Sequence, residues 1–182
     1  LVELEKNLFG MVFNLDEEEV GIIPLGDSSR LQVGSLIRRT GRVMDVPVGF
    51  GLLGRVINPL GEPLDDQGPV IASSRLPIER PAHSIRDRAP VEVQLQTGVK
   101  VVDAMVPIGR GQRELILGDR KTGKTALAID AILNQHDQNV ICIYCAICQR
   151  AASVAKYINI LKERGAMDYT VVLVSQGDDP AG

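Results

Sequence analysis

Eight residues, Gly118-Asp119-Arg120-Lys121-Thr122-Gly123-Lys124-Thr125, match G-x-x-x-x-G-K-[ST] at every defined position. Each defined residue has a chemical reason to be there. Gly118 and Gly123 let the backbone curl until successive N–H groups face phosphate oxygens. A helix starting after them turns its positive end to the same anion. Lys124 reaches the β- and γ-phosphates, and the Thr125 hydroxyl can ligate Mg²⁺ carried by the nucleotide. The bland alternative, a glycine turn with two stray lysines, explains the letters but not their order. The pattern points to nucleotide phosphate and is silent on the base and on hydrolysis.

A second run invites different chemistry. Cys142, Cys145 and Cys148 form C-x-x-C-x-x-C and are the chain's three cysteines. They lie in an apolar run, 139–147, that reads as a strand, and strand side chains alternate between faces. On that alternation Cys142 and Cys148 share a face and Cys145 points the other way. Three thiols so arranged do not converge on one ion, and zinc or an iron–sulfur cluster needs a fourth ligand. His83 and His136 lack ligand spacing to the run. The better expectation is buried free thiols acting as small hydrophobes.

The elements that must position these residues follow from periodicity. Residues 1–45 hold short β runs broken by Asn14, Gly26-Asp27 and Gly34, which suggests a small antiparallel sheet or barrel. Residues 46–113 form a Pro- and Gly-rich connector with apolar residues threaded through it, hence ordered. From Glu114 the pattern changes. Leu115-Ile116-Leu117 reads as a strand, and 125–135, apolar on most faces, as a buried helix. The strand at 139–147 comes next. Ala151, Val154, Ala155, Ile158 and Leu161 then mark an amphipathic helix over 149–164, with Gly165 at its C-cap and a third strand at 169–174. Strand, helix, strand, helix, strand predicts an α/β P-loop fold with a parallel sheet, preceded by a partial antiparallel β-barrel. The division is 1–45 for the barrel part and 46–182 for the nucleotide-binding part.

Composition narrows the function. Hydrophobic content of 45% and charged content of 24% are those of an ordinary globular protein. A net charge of −3 and 3% aromatics argue against nucleic acid as a partner. No apolar run is long enough for a membrane span, no signal sequence opens the chain, and three clustered cysteines favour a reducing compartment. The chain starts inside a strand-like alternation and stops after a strand-like run, so a longer protein is expected.

From Leu52 onward the sequence resembles the alpha subunit of F-type ATP synthases. The segments that carry this are "GRVINPLGEPLDDQG" (54–68), "LQTGVKVVDAMVPIGRGQRELILGDRKTGKTALAID" (95–130), "NVICIYCAICQRAASVA" (139–155) and "ERGAMDYTVVLV" (163–174). The β-rich start fits that family's N-terminal barrel. The resemblance implies a RecA-like domain that holds ATP and Mg²⁺ with Gly118, Asp119, Arg120, Lys121, Thr122, Gly123, Lys124, Thr125, Ala126 and Gln149. It implies no catalytic residue. Where catalytic beta subunits of the family carry a Glu that polarises the attacking water, this chain has Gln149, and an amide is a far weaker base. It further implies a ring of alternating alpha and beta subunits with central and peripheral stalks. The ring would sit on the cytoplasmic face of a bacterial inner membrane, with a mitochondrial or thylakoid membrane as alternatives. The family's Mg²⁺-side acidic strand, its arginine finger and its helical C-terminal domain have no counterpart in these residues.

Two positions depart from the family. Lys121 stands where Gln is usual, adding an ammonium beside the phosphates, and Cys148 stands where Gly is usual. A glycine there could serve its dihedral freedom, which a cysteine lacks. Arg110, Gln112 and Arg113 are candidates for a subunit interface or the nucleotide. Two other readings remain at this point: a catalytic hexameric ATPase of the secretion or helicase type, and a non-enzymatic folding fragment with an exposed sheet edge.

Overall fold

A computed structural model describes residues 1–5, 8–177 and 179, apart from the Arg30 side chain. The first part is a four-stranded antiparallel sheet: β1 (Val2–Leu4), β2 (Leu8–Leu15), β3 (Val20–Pro24) and β4 (Ile37–Arg39), in the order β3-β2-β1-β4. Val2 and Leu4 are buried, while Phe13, Leu15, Leu36 and Ile37 are exposed. The sheet is open among the described residues, so the expected partial barrel is here a four-stranded antiparallel sheet and not a closed barrel.

The connector is ordered, as expected, and carries short strands. β5 (Asp45–Val48) pairs antiparallel with β7 (Ser74–Pro77), and β8 (Gln94–Leu95) with β9 (Ile108–Gly109). β6 (Val56–Ile57) instead joins the parallel sheet. β5 begins at Asp45 itself, on the division drawn at residue 45.

The nucleotide-binding part is built on a three-stranded parallel sheet in the order β10-β11-β6, with β10 at Cys142–Gln149 and β11 at Thr170–Gln176. Two helices carry its covered face: α2 (Lys124–Leu133) and α3 (Ala151–Glu163). A shorter helix, α1 (Lys100–Met105), precedes them. Tyr144 and Ala146 of β10, Val172 and Val174 of β11, Val56 of β6, Ile129 of α2, and Val154 and Leu161 of α3 make one core. Gly165, with φ at 68°, ends α3 in the left-handed backbone that a C-cap glycine provides. The expected stripe of α3 is rotated slightly: Val154 and Leu161 are buried, Tyr157 joins them, and Ala151 and Ala155 face out.

Two expectations fail here. Leu115-Ile116-Leu117 is not a strand, and Leu115 and Leu117 are 78% and 81% exposed. A strand exists by pairing, and none of the described strands lies beside these residues. For the same reason α2 is not wrapped on all sides; Ile129 is its one buried residue, and the others are half-buried or exposed.

The connector is fastened to the sheet by one buried ion pair. Arg55 Nη2 and Nε donate to Asp65 at 2.7 and 3.0 Å, and Nη2 also reaches the Gly68 carbonyl at 2.5 Å. The Val56 N–H donates to Asp65 at 2.8 Å. Main-chain bonds continue the join: Gly54 N–H to the Thr170 carbonyl and Val172 N–H to the Arg55 carbonyl, at 2.9 and 3.0 Å. The Arg55 guanidinium, against the opposing pull of burial, holds the Asp65 carboxyl at about 2 instead of 3.8. Because the folded value is the lower one, this stabilisation is complete above pH 3.8 and is lost as pH falls through about 2. Asp65→Asn is therefore expected to lower the urea midpoint at neutral pH and to flatten the acid limb of stability between about pH 4 and pH 2. Parallel pH profiles for the two proteins would contradict this.

Candidate phosphate-binding site

The site is assembled at the entry to α2. Gly123 is its N-cap, with φ at 95°, and Lys121 is also left-handed, with φ at 65°. The two turn the chain through residues 118–123, all of them exposed. Thr122 donates its hydroxyl to the Asp119 carbonyl at 2.8 Å and braces the turn. Lys124 folds its ammonium onto the Gly118 and Asp119 carbonyls, both at 2.5 Å. A Cβ on Gly118 would meet the Thr122 hydroxyl at 2.8 Å, a tight approach that favours glycine.

The donors matter most. Among the described residues, the main-chain N–H groups of 119 to 123 donate to no protein acceptor. They sit beside the amino end of a ten-residue helix. Unpaired donors beside the positive end of a helix are an arrangement that can hold an anion. The half-buried Thr125 has a hydroxyl with no partner among the described residues, while Ala126 is exposed on the helix's first turn. The side chains of Asp119, Arg120 and Lys121 are exposed and form no bond with the loop.

Gln149 is the last residue of β10, not the start of the following helix, whose N-cap is Arg150. Its carboxamide oxygen accepts from the Tyr144 hydroxyl at 3.2 Å, and among the described residues Gln149 forms no side-chain hydrogen bond with the loop. A short connection turns the chain back from α2 into β10, so the start of α2 and the end of β10 lie at the same, carboxyl edge of the sheet. That edge is where open α/β sheets bind ligands. Arg110 is placed elsewhere, donating to the Gln138 carbonyl at 3.3 Å, and Gln112 bonds with Glu114 and Gly109.

These residues are recognisable by comparison. Residues 98–182 match the nucleotide-binding domain of the ATP synthase alpha/beta family, and residues 1–41 match that family's beta-barrel domain. The chain belongs to the ATP synthase alpha/beta family. Over its whole length it is 64% identical to "ATP synthase subunit alpha 1" of Psychromonas ingrahamii and 65% identical to "ATP synthase subunit alpha 2" of Polaromonas naphthalenivorans. "ATP synthase subunit alpha 1" of Shewanella frigidimarina is 60% identical over the same residues. The chain spans 35% of each of these relatives.

The cysteine run resolves differently from its reading as three buried thiols. Cys142 is buried, and burial pushes its thiol pKa up, but Cys145 and Cys148 are both exposed. Cys148 leaves the strand alternation because its φ is 52° and the pairing slips there: Ile147 faces Ser175 and Gln149 faces Gln176. This is a β-bulge with a left-handed residue, the situation in which glycine is usual. The departure noted in the sequence thus falls on a backbone position that penalises a side chain, by about 1 to 2 kcal/mol. Cys148→Gly should raise stability in urea unfolding by about 0.5 to 1 kcal/mol, after glycine's larger unfolded-state entropy is subtracted. A fall in stability would contradict the strain assignment.

Proposed function

We propose that the chain is the nucleotide-holding part of a non-catalytic alpha subunit of a rotary ATP synthase. Residues 1–45 would supply part of its barrel and 46–182 the first part of its nucleotide-binding domain. The observation that carries the reading is the pairing of an intact phosphate cradle at 118–125 with an amide, Gln149, at the end of the adjoining strand. A carboxylate there could orient and partly deprotonate water; an amide cannot serve as that base. The site would hold ATP or ADP without turning it over.

In this reading the N–H groups of Asp119, Arg120, Lys121, Thr122 and Gly123 bind phosphate oxygens, with Ala126 in main-chain reach. Lys124 leaves its own loop carbonyls for the β- and γ-phosphates. The Thr125 hydroxyl is a single hard oxygen, which suits a Mg²⁺ that takes its remaining ligands from phosphate and water. That ion would neutralise phosphate charge and orient the γ-phosphate. Support for the subunit assignment is the 60–65% identity to proteins named ATP synthase subunit alpha.

The partners would be beta subunits alternating with alpha in a hexamer, and the central and peripheral stalk subunits. The complex would couple ATP synthesis to proton or sodium transport. The chain would sit as a peripheral component on the cytoplasmic face of a bacterial inner membrane. Among the described residues no helix is long and apolar enough to cross a membrane, which fits a peripheral place.

Equilibrium binding of Mg·ATP to the full-length protein tests this. Lys124→Ala should weaken binding at least tenfold, equivalent to about 1.4 kcal/mol. Unchanged affinity would overturn the site. Sustained ATP turnover by the isolated full-length subunit would overturn the non-catalytic reading in favour of a catalytic hexameric ATPase.

A further inference from the structure

Strict alternation would put Gln149 on the face opposite Tyr144, because the two are five positions apart, an odd number. The bulge at Cys148 removes that obstacle. By giving Ile147, Cys148 and Gln149 only two partners on β11, Ser175 and Gln176, it shifts the parity of the strand. Gln149 returns to the inner face, half-buried, and its carboxamide oxygen meets the Tyr144 hydroxyl at 3.2 Å. Tyr144 itself cannot wander. It is 8% exposed in the sheet core, and its ring stands edge-to-face with Tyr157 at 6.4 Å and 71°.

We infer that Tyr144 is a positioning residue: its hydroxyl fixes the Gln149 carboxamide so that the Nε2 amine, a pure donor, is the end offered to the terminal phosphate of a bound nucleotide. The inference rests on the nucleotide-binding reading and adds the polarity of Gln149 to it. An amide has one acceptor end and one donor end. Tyr144 occupies the acceptor end, and the Nε2 hydrogens have no partner among the described residues. A donor suits a phosphate oxygen. Non-catalysis follows from the amide's lack of basicity, and the orientation adds a hold on the phosphate. The left-handed turn at Cys148 is what brings the two side chains together.

The test is a double-mutant cycle in the full-length protein, read as affinity for Mg·ATP and Mg·ADP. Tyr144→Phe deletes one oxygen and should weaken ATP binding about fivefold, the worth of one hydrogen bond. The loss should be smaller for ADP, which lacks the terminal phosphate. In a Gln149→Ala background Tyr144→Phe should have no further effect. Equal losses in both backgrounds, equal losses for ATP and ADP, or no loss at all would overturn the inference. Gln149→Glu gives a reading that does not need Tyr144 altered. With Tyr144 holding one oxygen, the other faces phosphate, so ATP should bind more weakly than to Gln149→Ala. Equal or tighter binding would show that the oxygen end was the one offered. If Lys124→Ala leaves ATP affinity unchanged, the nucleotide reading itself fails and the inference falls with it. If Lys124→Ala abolishes binding while Tyr144→Phe is silent, the inference alone fails.

Discussion

Strand β11 has a parallel partner on each side, and the nucleotide-binding part depends on that double pairing. β10 runs along one edge from Cys142 opposite Thr170 to Gln149 opposite Gln176. β6 takes the other edge, where Val56 and Ile57 face Val172 and Leu173. Val172 lies at the centre and is 0% exposed. Because all three strands point the same way, their carboxyl ends collect at one edge, and the helix that follows the phosphate loop starts there. Nothing in the loop alone would bring Gln149 to that edge. The pairing does.

The second partner of β11 is short, and the Arg55–Asp65 pair explains how two residues of β6 suffice. The pair is almost fully buried, with side chains 9% and 5% exposed. Isolated buried charges are costly, but here the guanidinium also meets two carbonyls and the carboxylate also accepts from the Val56 N–H. The network is therefore satisfied on both sides, and it clamps the turn at 58–68 to the sheet's edge. The opposite side of the sheet shows what an unsatisfied face looks like. Ile141, Ile143 and Ile147 of the β10 segment stand exposed, as do Leu115 and Leu117. Parallel sheets are normally covered on both faces. In these residues one face is covered, by α2 and α3.

Local chemistry was the legible part of the sequence. The loop at 118–125, the helix at 151–163 and its terminating Gly165 all follow from residue type and spacing, because turns, caps and amphipathic stripes are settled within a few residues. Leu115–Leu117 was not legible, since a short apolar run shows only propensity, whereas a strand requires a neighbour that the local sequence does not contain. Cys148 lay between these cases. Period-two alternation put it beside Cys142, and one left-handed residue sufficed to undo that. Its oddity could be seen in the sequence only against a family that prefers glycine there. The hydrogen bond from Tyr144 to Gln149 was invisible for the same reason: alternation forbids it until the bulge is known.

If the main-chain donors of 119 to 123 hold phosphate, nucleotide must change their exposure to solvent. Hydrogen–deuterium exchange over the segment 118–126 of the full-length protein measures those groups directly. Without nucleotide they should exchange fast, since they lack protein acceptors. With saturating Mg·ATP the same segment should become protected, together with the end of β10. Unchanged exchange at 118–126 while ATP binds, with protection appearing elsewhere, would place the phosphates away from this loop.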